Sequence, residues 1–395
     1  MRLNAIEGIA TFQDEMRDWR RDIHAHPELG FEEMRTSDIV AAKLESFGLE
    51  VHRGLGKTGI VASLRVGNSP RAIGLRADMD ALPIHEENAF EYRSRHDGKM
   101  HACGHDGHTT MLLGAARHLC ATRNFEGCVH FIFQPAEEGL GGAAAMIRDG
   151  LFEQFPMESI YGMHNLPGLE AGRFSIRPGP MMAGAAFFDI DIKGVGAHAA
   201  WPERSVDPVV AAAHIVTALQ TIVARNVRST DAMVVSVTKI HGGEAYNVIP
   251  QSARLGGTVR CFSNDVMRLA EDRMRQITEN VAEAFGAKAT LDFRPVFVPL
   301  VNKPDETQFC ADVAADLVGE ENVNRNQSLI MGSEDFSFML EKCPGAYIRI
   351  GNGADPSIGM LHNPSYDFND GILALGASYW VRLVETRLAR QGLSA

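Results

Sequence analysis

The sequence predicts an α/β fold: a large α/β domain with a mostly parallel central sheet, interrupted by a smaller α+β domain. Three observations carry this. "AIGLRA" (72–77), "CVHFIF" (128–133), "SIYGM" (159–163) and "AYIRI" (346–350) are short apolar runs of strand length, as strands covered on both faces are. Helical stretches separate them. The chain has 395 residues, more than one hydrophobic core usually spans.

The elements follow in order. Over 10–24, Phe12, Met16, Trp19 and Ile23 recur at helical spacing. A second helix spans about 36–47 and stops at Gly48. Strand 72–77, helix 109–121, strand 128–133, a short helix at 143–150 and strand 159–163 come next. Near "RPGPMMAG" (177–184) proline and glycine break the pattern. Strand 186–193, helix 206–224, strands 233–240 and 253–262, helix 265–285 and strand 288–293 then spell βαββαβ, the ferredoxin-like order. "RPVFVP" (294–299) marks the return, followed by helix 305–318, "FSFMLE" (336–341), strand 346–350 and a closing helix over about 369–391. The expected domains are 1–183 plus 294–395, and an inserted 184–293.

Apolar residues make up 45%, enough for a sizeable core. With 38 basic and 50 acidic residues, the net charge of −12 argues against a nucleic-acid footprint, and no membrane partner is expected. The six cysteines are scattered, without a CxxC pair, and the N-terminal stretch lacks a signal-like apolar region. No apolar run is read as reaching membrane-spanning length. A reducing cytoplasm is expected.

Reactive side chains fall where strands end. In open α/β sheets, ligands bind beyond the carboxyl ends of the strands. Strand 72–77 leads into Asp78 and Asp80, strand 128–133 into Glu137 and Glu138, strand 159–163 into His164, and strand 346–350 into a loop ending at His362. "MHACGHDGH" (100–108) sets Cys103 and His105 in the turn before a helix, with His101, Asp106 and His108 as supporting partners or caps. Thiolate, imidazole and carboxylate together suit Zn²⁺ or a borderline ion such as Mn²⁺, Co²⁺ or Ni²⁺. Five such groups exceed one tetrahedral site and suit two ions, between which a water loses its proton easily. Glu137, beside Glu138, could then take that proton. His24 and His26 are read as structural residues of a turn.

Together, "RADMDALP", "MHACGHDGH", "FIFQPAEEG", "GMHN", "GAHAAWP", "NVIP", "GGTVRCF", "GSEDFS" and "LHNPSYDF" resemble the M20 metallopeptidase family. The resemblance runs over nearly the whole chain. It is greatest to the amidohydrolases that cleave N-acyl amino acids, such as hippurate hydrolase, aminoacylase and auxin-conjugate hydrolases. It implies two divalent ions on Cys103, His105, Glu138, His164 and His362, with Cys103 the bridging candidate. It implies Glu137 as general base and acid, His198 as a second catalytic residue at the reacting carbonyl, and Asn247 and Arg260 as holders of the substrate carboxylate. It also implies a homodimer formed through the inserted domain, which would double as a lid. Where many M20 members carry His-x-Asp, this chain has Asp78-Met79-Asp80. Asp78 is therefore not expected on metal, and Asp80 is expected to orient a ligand.

The expected activity is metal-dependent hydrolysis of the amide of an N-acyl amino acid. Two alternatives stand beside it: an amide hydrolase with Cys103 as nucleophile, and a dipeptidase or carboxypeptidase of the same family.

Overall fold

A computed structural model describes residues 4–355 and 359–390. The chain divides into two compact units: Met1–Gly179 with Val301–Ser328 and Asp335–Ala395, and Pro180–Leu300 with Leu329–Glu334.

Four parallel strands form the heart of the first unit's sheet, in the order Gly127–Gln134, Ala72–Asp78, Ser159–Pro167, Gly345–Gly353. Every residue of the first two is buried, which explains why their sequences are apolar runs rather than alternating ones. An antiparallel pair, Glu50–Leu55 and Gly59–Val66, extends one side. This pair was not among the expected strands. Glu50–Leu55 is an edge strand with only Leu55 fully buried, so its sequence lacks an apolar run. At the other side lie two-residue strands, Phe174–Ser175 and Val323–Asn324.

The helix His105–Thr122 packs against the sheet and against the helices Gln13–Ala25 and Leu373–Arg387. It starts four residues before the expected 109, so His105 occupies its first turn rather than the preceding loop. The strand Ser159–Pro167 also runs past its expected end, and His164 sits within it, paired with Arg349. The closing helix is a short 3₁₀ turn, Asp370–Ile372, followed by Leu373–Arg387; residue 391 lies outside the described residues.

In the second unit, four antiparallel strands run in the order Met233–His241, Ser252–Cys261, Gly184–Lys193, Lys288–Phe297. In chain order this is the βαββαβ arrangement, with Pro208–Leu219 and Asn264–Ala284 as its main helices. The unit returns at Leu300 rather than at 294. "RPVF" was read as punctuation, but it continues the last strand, because proline is tolerated on an edge strand. The stretch Pro208–Arg225 is long and apolar enough to cross a membrane by composition, at mean hydropathy 1.4, contrary to the expectation that no run would be. Here it is broken at Gln220, and Ala211, Ala212, Ile215 and Leu219 pack into the unit's own core.

One buried ionic group ties the N-terminal helix to the His105 helix. Arg20 is fully buried and reaches Asp106 (3.4 Å), Asp367 (3.2 Å) and Asp370 (2.7 Å). His24, in the helix Gln13–Ala25 rather than a turn, bonds through Nδ1 to Asp106 (2.9 Å) and through Nε2 to Glu86 (3.1 Å). Burial works against a charge on His24, but the hydrogen bonds to Asp106 and Glu86 outweigh it and push its pKa up to about 9. Folding therefore takes up a proton at His24 when the pH lies between about 6.5, its unfolded value, and that raised value. The stability it supplies is complete below the unfolded value and lost as pH rises through about 9. In denaturant titrations at several pH values, His24→Gln should flatten the alkaline fall in unfolding free energy. An unchanged slope would mean that the folded core holds a neutral ring.

Candidate metal centre

Gly104, between Cys103 and His105, has φ +92° and lets the chain turn sharply from the loop into the helix. A Cβ there would meet Asn165 Nδ2 at 2.4 Å and Tyr366 Oη at 2.5 Å. The turn brings Cys103 Sγ to 3.3 Å from His164 Nε2. The ligand atoms of Cys103, His105 and His164 lie within 4.8 Å of one another, and so do those of Cys103, Glu138 and His362. All five candidate ligands therefore converge, in two triads that share Cys103.

The donor set fits a pair of divalent cations. His105 is tied through Nδ1 to the Asp80 carbonyl (2.8 Å) and to Asp80 Oδ1 (3.2 Å). Among the described residues its buried Nε2 has no geometrically sound hydrogen-bond partner, the carboxylate oxygens of Asp78 and Glu138 lying 3.8 Å and 4.0 Å away. A buried polar atom left in this state is costly unless a cation satisfies it. His164 Nδ1 donates to the Asn165 carbonyl (2.6 Å), which turns Nε2 toward Cys103. Burial, helped by His108 and Arg349, holds His164 well below the usual imidazole range, so it is neutral with a lone pair to offer. Burial pushes the Cys103 thiol up, so a thiolate there needs a nearby cation. That disfavours Cys103 as a free nucleophile. His362 bonds to Cys103 and Glu138, which pushes its pKa up to about 10, and its Nε2 lies 3.2 Å from Glu138 Oε1. The His362 backbone is left-handed at φ +64°, a strained conformation for a β-substituted residue, of the kind concentrated at functional sites.

Asp80 bonds two of these groups at once. Besides His105, it accepts the Glu138 backbone N–H at Oδ2 (3.0 Å). Asp78 is engaged elsewhere, by His108 Nδ1 at Oδ1 (2.6 Å) and Arg76 Nη1 at Oδ2 (2.7 Å). Glu137 is in neither Cys103 triad, but its carboxylate lies within 4.8 Å of the ligand atoms of His105 and Glu138. Glu137 Oε1 also accepts the Asp335 N–H (3.4 Å).

His198, Asn247 and Arg260 belong to the second unit. His198 is exposed on the short strand Ala197–His198, opposite Val248, and its ring lies 4.9 Å from that of Trp201. Asn247 is next to it, its carbonyl accepting the Ala199 N–H (2.9 Å). Arg260, in the strand Ser252–Cys261, bonds to Thr258 and to the Val259 carbonyl (3.1 Å) and makes no ion pair among the described residues. Burial lowers its pKa.

A family model for peptidase family M20/M25/M40 matches residues 74–386. The chain belongs to this family. It is 43% identical to the hippurate hydrolase of Campylobacter jejuni, over 96% of this chain and 98% of that protein. It is 42% identical to IAA-amino acid hydrolase ILR1-like 4 of Arabidopsis thaliana, over 93% of this chain and 84% of the relative. Among solved structures it resembles the Bacillus subtilis YXEP protein, described as a dinuclear metal-binding peptidase from family M20. The TM-score is 0.84 at 32% identity, covering 96% and 99% of the two chains.

For this M20 member, the sequence reading missed the layer beneath the ligands. Arg76 bonds to Gln134 (2.8 Å), Asp78 and Asp335 (3.3 Å), and Asp335 also accepts from Gln134 Nε2 (2.7 Å) and the Ala143 N–H (2.9 Å). The signals were present in "GLRAD" and "GSEDFS", but the partners lie up to 259 positions apart. His101 was expected to support a neighbour, yet both its ring nitrogens are buried without a hydrogen-bond partner among the described residues, and burial pushes its pKa down to about 4.

The shared position of Cys103 gives an asymmetric expectation for metal content. Cys103→Ala should empty both positions, whereas His362→Ala should leave the Cys103–His105–His164 triad occupied. Elemental analysis after dialysis reads this directly. Equal losses from the two variants would contradict the two-triad arrangement.

Proposed function

We propose that the chain hydrolyses the amide bond of N-acyl amino acids and releases a carboxylic acid and a free amino acid. The observation that carries this reading is Glu137, a carboxylate beside two ligand triads but in neither of them. Cys103, His105, Glu138, His164 and His362 would hold two divalent ions of the Mn²⁺, Zn²⁺, Co²⁺ or Ni²⁺ class, which would supply Lewis acidity for the acyl carbonyl and acidify the attacking water. Glu137 accepts the water's proton and returns it to the departing amine nitrogen. Asp80 holds the His105 ring and the Glu138 backbone in place.

In the second unit, His198 donates a hydrogen bond to the oxygen of the reacting carbonyl, where negative charge develops. Asn247 and Arg260 bind the substrate's carboxylate. Arg260 suits that part because it is a partly desolvated guanidinium without an acidic partner among the described residues. The second unit serves as the contact between two copies of the chain. Its helix Pro208–Leu219 exposes Val209 and Val210, and its edge strand Met233–His241 exposes Val234 and Ile240. These apolar side chains are the kind that a homodimer buries. The six cysteines are unpaired, in keeping with a cytoplasmic location.

A panel of N-benzoyl, N-acetyl and indolyl-acetyl amino acids, with dipeptides as the contrast, tests the substrate class. Turnover should favour the N-acyl amino acids and vanish with a chelator. Preference for dipeptides would move the reading to the peptidases of the family. Glu137→Gln should keep its metal and lose at least about a hundredfold in kcat. His198→Ala should lower kcat without lowering metal content, and metal loss would instead make His198 a ligand.

A further inference from the structure

Glu33 is a carboxylate that the chemistry above does not use, and it is completely buried. Among the described residues no cation pairs with it. Burial pushes its carboxyl up to about 7. Keeping such a group in a core is unfavourable unless its hydrogen bonds matter. It makes two. Oε2 accepts the Thr58 hydroxyl (2.6 Å), and Oε1 accepts the backbone N–H of Ala136 (2.8 Å).

Ala136 is not an ordinary loop residue. It is fully buried and left-handed, at φ +53°. An alanine in that region costs roughly 1–2 kcal/mol relative to the right-handed one. Consecutive side chains of an extended strand point to opposite faces. After the strand Gly127–Gln134, the chain instead turns at Ala136 and presents Glu137 and Glu138 together, both within 4.8 Å of the His105 ligand atom. The strained residue is clamped on three sides. Glu33 holds its N–H, the Gly142 N–H bonds to its carbonyl (3.0 Å), and a Cβ on Gly30 would come within 3.0 Å of its Cα. The same N-terminal segment also braces the other loop of the site, since the Glu28 carbonyl accepts the Ala81 N–H (2.8 Å) next to Asp80.

We propose that Glu33 is a positioning residue: by holding Ala136 in its left-handed turn, it aims the Glu137 carboxylate for proton transfer. This rests on the reading of Glu137 as the proton-transfer group. Misplacing a reacting group by about 1 Å can cost on the order of a hundredfold. Glutamine at position 33 can still accept from Ala136 N–H and donate to the Thr58 hydroxyl oxygen, whereas alanine can do neither.

The test is a cycle of Glu33→Ala, Glu33→Gln, Glu137→Gln and the double variant Glu33→Ala/Glu137→Gln in the metal-loaded enzyme, reading kcat, KM, the pH profile and bound metal. Thr58→Val removes one bond to Glu33 with little change of shape, and serves if the alanine variant does not fold. Glu33→Ala should lower kcat on the order of tenfold to a hundredfold, with KM and metal content unchanged and the acidic limb of the pH profile, which reports ionisation of the base, displaced. Glu33→Gln should recover most of the rate. The double variant should be no slower than Glu137→Gln alone, because the group being aimed is already gone. Losses that multiply, or metal that departs with the Glu33 side chain, would overturn the inference while leaving Glu137 as the base. Undiminished turnover in Glu137→Gln would overturn the reading of Glu137 and this inference with it.

Discussion

The carboxylate of Asp80 joins two parts of the chain that sequence does not join. One oxygen, with the residue's own carbonyl, holds the His105 ring at the start of a helix, and the other holds the Glu138 backbone after a neighbouring strand. Because both bonds go to one planar group, the imidazole and the acidic turn keep a fixed spacing. Metal ligands must be placed to a few tenths of an ångström, and a rigid buried carboxylate does this better than two independent loops could. The other features of the site depend on this tie. The Cys103–Gly104 turn feeds the same helix, and the Glu137–Glu138 turn follows the same strand.

Below it lies a second level of buried polar groups. Arg76, Gln134, Asp78 and Asp335 form one connected network, and Arg20, Asp106, His24 and Glu86 form another. Buried ion pairs of this kind add little net stability over well-packed apolar residues, while losing one partner is strongly destabilising. Their value here is geometric. Each network fixes a residue close in sequence to the site: Asp78 sits two positions before Asp80, which orients His105 and Glu138, and Asp106 follows the candidate ligand His105. An apolar core would leave those backbones held only by packing, which tolerates small shifts that a coordination site does not.

Much of this was legible in the sequence. Apolar runs located the four parallel strands because both of their faces are covered, and strand ends located the reactive groups because parallel strands share one carboxyl edge. Boundaries failed where a local signal was ambiguous. Polar "HDGH" read as a loop, yet these residues are helical because the first turn is buried against partners from elsewhere. "RPVF" read as a break, yet it pairs along an edge where its proline costs nothing. Glu33 carried no signal at all, since nothing local distinguishes a buried glutamate from one of the many exposed ones.

By itself, the sequence determined the two-part α/β and βαββαβ plan and the types of atom available for coordination, because these follow from periodicity and from side-chain chemistry; the family followed from the resemblance of its motifs. Only the tertiary structure decided which candidate ligands group together, that Cys103 is common to both candidate triads, and that Ala136 is held left-handed by a carboxylate 103 positions away. Periodicity reports which face of an element is buried. It says nothing of what lies across the gap, and hydrogen bonds between distant segments exist only once the chain has closed on itself.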